Sequence, residues 1–348
     1  MAAKHSPPTP SGAIADDLLG WYDRHRRELP WRASPGEVPD PYRVWLSEVM
    51  LQQTGVATVA PRFAAWIERW PDFASLASAS DDDVMAAWAG LGYYARARNL
   101  VACAKVVVAE HAGAFPTTEA ALRQLPGIGD YTAAAIAAIA FEEPATVVDA
   151  NVERVASRLF RAGTKSAVRA AAESITPPVR SGDFAQAMMD LGSAICTPSN
   201  PRCLLCPLRG ACAAYAAGDQ EAFPVKPAKP PKPQRHGTIF WAQAGDEVLL
   251  VRRPPKGLLG GMRALPTGSW TGHPPGVTDA PIVGDWRLRN ATVAHGFTHF
   301  DLQLALATAR VERHAAGDGA IWWPIESLRE AGLPTVFAKA AEAIGGGA

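Results

Sequence analysis

Two carboxylates and a run of cysteines are the residues in this sequence best suited to chemistry. Glu48 sits in WLSEVMLQQT, towards the end of an apolar helical pattern formed by Val44, Trp45 and Val49. Asp149 closes the apolar run Ala145-Thr-Val-Val148 and precedes Asn151 and the helical VERVASRLF. A surface glutamate and a helix N-cap aspartate are the plainer readings, and the second is strong on position. Capping and chemistry are compatible. A carboxyl kept protonated in an apolar pocket and a carboxylate held ionised can divide two roles. One supplies a proton to a leaving group and the other stabilises a cationic centre, as breakage of an N-glycosidic bond requires.

Cys196, Cys203, Cys206 and Cys212 fall within CTPSNPRCLLCPLRGAC, spaced C-x6-C-x2-C-x5-C. Nothing at the amino terminus, MAAKHSPPTP, has the apolar core of a signal peptide, and an intracellular protein has little use for disulfides. A metal group is therefore the first expectation. Structural zinc usually takes two separated C-x2-C pairs, whereas here one pair is flanked by single cysteines. Cysteine-only ligation in one short segment suits a four-iron four-sulfur cluster better, with zinc and unligated thiols as the remaining readings. Arg202 and Arg209 in the same loop could face phosphate. Cys103, in VACAKVVV, reads as a small buried hydrophobe.

LPGIGDYTAAAI, residues 125–136, places two glycines before a helix of small residues. Gly127 and Gly129 allow close backbone approach, and amides at a helix start can hold an anion the size of a phosphate. A helix–hairpin–helix gripping a nucleic-acid backbone and a tightened turn in a helical bundle are both compatible with this stretch alone.

These groups need elements to position them. From Ile14 to about Tyr215 apolar residues recur at helical spacing, as in Ile14, Leu18, Trp21 and Tyr22. FPVKPAKPPKPQRHG, residues 223–237, is too rich in proline and basic residues to form a core and reads as a spacer. Beyond it the period shifts towards two, with strands expected at 238–242, 248–251 and 302–306. We expect a helical domain over 12–222, a linker over 223–236 and a smaller α+β domain over 237–348. Hydrophobic residues form 48% of the chain, and no apolar run is long enough to span a bilayer. Lys plus Arg equals Asp plus Glu at 34 each, so binding to nucleic acid would need a local basic face.

The order SEVMLQQT, GLGYYARARNL, LPGIGDYTAAAI, VDANVERV and then the cysteine run resembles the helix–hairpin–helix DNA glycosylases, and most closely their MutY-type adenine glycosylase branch. The resemblance runs from about Trp31 into the last domain. It implies an all-α glycosylase domain with a four-iron four-sulfur cluster loop at 196–212, followed by an α+β Nudix-like domain. It implies removal of adenine mispaired with 8-oxoguanine or guanine in duplex DNA, by a protein expected to be monomeric and cytoplasmic. The endonuclease III branch carries a lysine where this chain has Tyr131, and a tyrosine cannot form a Schiff base. The resemblance then implies a monofunctional glycosylase with at most weak strand cleavage.

By the same resemblance Glu48 corresponds to the acid for the leaving adenine and Asp149 to the carboxylate facing the cationic sugar. Tyr131 and Asn151 support that step, and Arg32 corresponds to a base-contacting arginine, although the SPGEVPDPY segment after it is longer than the family pattern. Gln53, Leu91 and Tyr93 correspond to residues that wedge into the duplex. RRPPKGLLGGMRALP and HGFTHFDLQL resemble the domain that lies against the oxidised guanine, with Phe297-Thr298-His299 where the family usually has Phe-Ser-His. No REx2EE cluster is present to hold magnesium for nucleotide hydrolysis. An endonuclease III-like glycosylase/lyase and a non-catalytic iron–sulfur DNA-binding scaffold are the competing readings.

Overall fold

The computed structural model describes residues 11–225, 231–254, 257–313 and 319–345. Residues 226–230 of the expected spacer, and Pro255 and Lys256 of the RRPPKGLLGG motif, lie outside the described residues. The chain separates into two compact units: residues 1–78 with 99–228, and 79–98 with 229–348.

In the first unit α1 (Ser11–His25), α2 (Pro41–Leu51), α3 (Val56–Arg69) and α4 (Phe73–Ala77) lead in sequence to later helices. These are α8 (Asp130–Phe141), α9 (Ala150–Phe160), α10 (Lys165–Ile175) and α11 (Ser181–Ala194). Between them in the chain lie α5 (Asp81–Ala87), which belongs to the second unit, α6 (Ala95–Glu110) and α7 (Glu119–Leu122). The helix expected before the glycine loop is thus a single turn, capped by Thr118. Ile14, Leu18, Trp21 and Tyr22 enter a core with Val152, Val155, Leu159 and Leu191, the helical spacing having placed them on one face. Tyr42, Trp45, Phe73 and Phe115 form a second packed group through edge-on and tilted ring contacts.

The alanines of α8 are buried from Ala133 to Ala140, and Gly182 of α11 faces them. A Cβ on Gly182 would sit 2.4 Å from the Ala138 carbonyl oxygen, so small residues on both helices permit their close approach. This contact sets the spacing of two of the helices that bound the Glu48 cavity.

The second unit is built on a sheet ordered β3-β2-β1-β5-β4, with β6 paired to β2. Its strands are β1 (Gln234–Ala244), β2 (Glu247–Arg252), β3 (Arg263–Ala264), β4 (Arg287–Gly296), β5 (Asp301–Arg310) and β6 (Ala320–Pro324). β1 and β5 run parallel with Gln234 opposite Asp301, and β4 and β5 run antiparallel. Leu302, Leu304 and Leu306 point into the core with Val336, Phe337 and Ala340 of a final helix, residues 335–345. The strands expected at 238–242, 248–251 and 302–306 all form. β4, a partly exposed edge strand reading RLRNATVAHG, was not legible because it lacks an alternating apolar face.

Candidate active site

Glu48 lies in the last half of α2 and is 7% exposed. Asp40 starts that helix by accepting from the amides of Tyr42 and Arg43, and Pro41 occupies its first turn. Val44, Trp45 and Val49 bury the helix and carry Glu48 inward with them. The surface reading of this residue is therefore excluded. Burial pushes its carboxyl up to about 7, partly opposed by a hydrogen bond from Tyr131, while Asp149 raises it and Arg32 lowers it. Tyr131 Oη donates to Glu48 Oε2 at 2.6 Å.

Tyr131 is positioned by the glycine loop. Gly127 adopts φ +74°, and a Cβ there would meet Asn99 Cβ at 2.5 Å, so both conformation and space require glycine. Gly129 then caps α8 without a side-chain hydrogen bond to its first amides. Asp130 next to it is exposed and paired with Arg123 at 3.1 Å. Burial is the largest cause of the strongly raised pKa of Tyr131, and the nearby Glu48 and Asp149 carboxyls add to it. Its hydroxyl stays a proton donor.

Asp149 is the N-cap of α9, as its position suggested. Its Oδ1 accepts from the Val152 amide at 2.7 Å and its Oδ2 from Asn151 Nδ2 at 2.7 Å. The cap thus fixes the carboxyl through both oxygens. Asn151 is itself held: Arg154 Nη2 donates to Asn151 Oδ1 at 2.9 Å and to the Gly192 carbonyl at 2.7 Å, while Arg154 Nε donates to the Cys196 carbonyl at 2.7 Å. Gly192 is required for this arrangement, since a Cβ there would lie 2.6 Å from Asn151 Cβ. Arg154 and Gly192 were not identified from sequence; an arginine in a helix and a glycine in LGSA look unremarkable until the helices meet.

Arg32 lies beside this centre and lines the cavity of about 50 Å³ that holds Glu48. Its guanidinium donates to Asp190 Oδ2 at 2.7 Å and Oδ1 at 2.8 Å, and Arg27 Nε donates to Asp190 Oδ1 at 2.5 Å. Burial opposes ionisation of Asp190, yet Arg32 and Arg27 hold its pKa below the usual carboxylate range. Asp190 is another residue missed in the sequence, for it sits within an apolar helix and its partners are 158 and 163 positions away.

Cys196, Cys203, Cys206 and Cys212 line one small cavity of about 30 Å³ with Arg158. Arg158 Nη1 donates to Cys196 Sγ at 3.4 Å. Burial pushes the Cys206 thiol up to about 12, opposed by the Leu208 amide, and also raises Cys203 and Cys212. Among the described residues no group of three or more His, Cys, Asp or Glu side chains converges tightly enough to hold a metal ion. A donor set of four thiols around one cavity, with amides facing the sulfurs, is nonetheless chemically suited to an iron–sulfur group, whose several iron atoms spread the ligands more widely than one ion does. Cys103 is fully buried in α6, as expected of a small hydrophobe.

The remaining site residues differ in accessibility. Gln53 is exposed and adopts φ +59° just beyond α2; Tyr93 is 51% exposed with φ +47°. Non-glycine residues at positive φ carry local strain of the kind found where a side chain must be presented. Leu91 is only 5% exposed. A wedge role would require it to leave that buried position.

Within the second unit Tyr93, Phe297, Thr298 and His299 line one recess of about 390 Å³. Tyr93 Oη and Thr298 Oγ1 are 2.9 Å apart. Phe297 stacks on Trp270 at 5.8 Å and closes a turn by donating its amide to the Phe300 carbonyl at 2.9 Å. Asp82 of α5 pairs with Arg252 and Arg263, each at 2.7 Å, fastening residues 79–98 to the sheet.

Comparison with known proteins places the helical region among base excision DNA repair proteins. Residues 46–178 match the HhH-GPD superfamily of base excision DNA repair proteins, and residues 238–343 match the NUDIX domain. The chain resembles the structure of a thermostable thymine-DNA glycosylase with TM-score 0.55 at 27% identity, over 60% of this chain and 97% of that one. It is 34% identical to the adenine DNA glycosylase of Mus musculus, over 94% of this chain and 77% of the mouse protein. It is 38% identical to that of Homo sapiens over 74% of this chain, but spans only 58% of the human protein. The chain belongs to the adenine DNA glycosylase family. Among the described residues no helix is long and apolar enough to cross a membrane.

Proposed function

We propose that this protein hydrolyses the N-glycosidic bond of adenine placed opposite 8-oxoguanine or guanine in duplex DNA. The observation that carries the reading is the buried Glu48 carboxyl, raised to about 7 and bonded to Tyr131, in a unit that also holds Asp149 by both oxygens. Near neutral pH a large share of Glu48 is protonated and can donate. As the bond between base and sugar breaks, its electron pair goes to the base, which takes the Glu48 proton. The Asp149 carboxylate faces the cationic sugar, with Asn151 and the α9 amide fixing it. Water then supplies hydroxyl to the sugar carbon, and its remaining proton restores the carboxyl of the enzyme. Tyr131 offers no amine to attack the sugar, so strand cleavage is not part of the reaction.

In this reading the glycosylase domain spans 12–222, the linker 223–236 and the lesion-reading domain 237–348, although residues 79–98 cluster with the second unit and β1 already begins at Gln234. Gly127 and Gly129 lie against DNA backbone, Arg32 contacts the base, and Gln53, Leu91 and Tyr93 occupy the disturbed duplex. Phe297, Thr298 and His299 face the oxidised guanine. Cys196, Cys203, Cys206 and Cys212 hold a four-iron four-sulfur cluster, which when bound cross-links the loop that displays Arg202 and Arg209. The protein works as a monomer inside the cell.

Single-turnover reactions on duplexes carrying adenine opposite 8-oxoguanine, adenine opposite guanine, or an oxidised thymine test this. Breaks in the adenine strand only after alkali, fastest opposite 8-oxoguanine, are expected. Alkali-independent breaks at the oxidised thymine would place the activity with the endonuclease III branch instead. Binding without cutting by cluster-loaded protein would leave a DNA-binding scaffold.

A further inference from the structure

In the antiparallel pairing of β2 with β3, Arg252 lies directly opposite Arg263. Like charges opposed in this way repel and weaken a strand pair. Asp82 of α5 offsets the repulsion: one carboxyl oxygen accepts from each guanidinium, both at 2.7 Å. The Arg252 hydrogen bond is the largest cause that holds the Asp82 carboxyl below the usual carboxylate range, and the charge of Arg263 adds to it. Ser80 caps α5 by accepting from the Asp83 amide, so starting the helix does not account for Asp82. All these residues belong to the second unit.

The contacts continue into the wall of the Thr298 recess, which Leu258, Leu259 and Gly260 line together with Tyr93. The turn they form is gripped by its carbonyls. Arg252 Nη1 donates to Gly261 at 3.2 Å and Arg253 Nε to Leu258 at 3.2 Å, while Arg98, in the first turn of α6, donates to Gly260. Asp82 thus holds a guanidinium that holds one wall. It also fastens the start of the segment that carries Tyr93. Further along, Trp88 Nε1 donates to the Gly92 carbonyl at 2.9 Å and Arg96 Nη2 to the Leu91 carbonyl at 2.7 Å. These bonds brace the turn where Tyr93 adopts φ +47°, but all of them fall within residues 88–96. Registration against the sheet side comes from the ends of the segment, Asp82 at one and Arg98 at the other.

We propose that Asp82 is a positioning residue for the reading of 8-oxoguanine, setting Tyr93 and the 258–261 turn around Thr298 through its two arginine partners. The inference rests on the role proposed above for the Thr298 turn. Glu48, Tyr131 and Asp149 belong to the first unit and Asp82 to the second. Its loss should therefore fall on the choice between mispairs and leave the shared bond-breaking step in place.

The test uses the full-length, cluster-loaded protein and duplexes carrying adenine opposite 8-oxoguanine or guanine. Single-turnover rates at subsaturating protein give the preference as a ratio. Asp82→Ala should lower that ratio about threefold, the scale of a partly exposed, charge-assisted pair, by slowing the 8-oxoguanine duplex while the guanine duplex stays near the parent rate. Asp82→Asn, which keeps the shape and loses the charge, should lower it in the same direction and serves if the alanine variant does not fold. Arg252→Ala combined with Asp82→Ala should lower the ratio no further than the larger single effect, because both break one chain of contacts. Asp81→Ala removes the same charge from the same helix turn and should keep the parent ratio. An unchanged ratio in both Asp82 variants, equal slowing on the two duplexes, full additivity with Arg252→Ala, or an equal drop in Asp81→Ala would overturn the positioning role and leave the glycosylase reading intact. A parent that cleaves both duplexes at one rate would instead overturn the lesion-reading role of the Thr298 turn, and this inference with it.

Discussion

The Glu48 centre and the Thr298 recess are built on opposite principles. Glu48 and Tyr131 sit on α2 and α8 and Arg32 in the segment before α2, all among buried side chains, and each is held by a hydrogen-bond partner. Thr298 and His299 are exposed on a turn, and Thr298 meets Tyr93 through one hydroxyl pair. Proton donation needs a carboxyl kept from water so that its pKa rises, whereas reading a base needs groups that a ligand can reach. Substitutions in the first region should therefore act on rate, and those in the second on selectivity.

The largest expected effect is that of Glu48→Gln. Loss of a general acid should slow excision by about 10²–10⁴-fold with mispair binding retained, measured by single-turnover cleavage and gel shift. Undiminished cutting would remove Glu48 from the acid role. Asp149→Asn should come next, slowing excision by about 10²-fold or more while changing stability by less than about 1 kcal/mol, because asparagine caps a helix as well as aspartate does. A large loss of stability with little loss of rate would mean that the residue is only a cap.

The pH dependence is sharper still as a discriminator. Glu48 is raised from 4.5 to about 7. The single-turnover rate should hold below about 7 and fall about tenfold per unit above it, as the acid loses its proton. The same shift makes stability fall as pH rises from 4.5 through about 7, since the folded protein binds the extra proton. In Glu48→Gln that part of the melting-temperature slope should vanish. A rate independent of pH between 6 and 9, values bracketing the raised pKa as a rough window, would contradict the assignment.

Gly192→Ala tests the positioning of Asn151, since the new Cβ would press on it at 2.6 Å. A destabilisation of about 1–3 kcal/mol and a loss of about tenfold in rate are expected. Unchanged kinetics would show that the Asp149–Asn151 pair tolerates displacement. Thr298→Ala is the mildest: losing one hydrogen bond of about 1 kcal/mol should reduce the preference for 8-oxoguanine over guanine about fivefold, without slowing the best substrate comparably. A rate effect equal on both duplexes would blur the division between the two regions.

What the sequence determined by itself were the residue types and the local elements. Helical spacing in α1, period-two spacing in β5, the Asp149 cap and the glycine loop before α8 each depend on neighbours within a few positions, so they could be read directly. The long-range facts were decided only in the folded chain. Burial turned Glu48 from an ordinary glutamate into an acid near 7, because desolvation depends on Val44, Trp45 and helices distant in sequence. Asp190 reached Arg32 across 158 positions, and Gly192 made room for Asn151 where α9 and α11 meet. Residues 79–98 joined the second unit through Asp82 although they lie within the helical stretch of the sequence. Such contacts leave no local period or motif: their energy comes from partners that only the tertiary packing brings within reach.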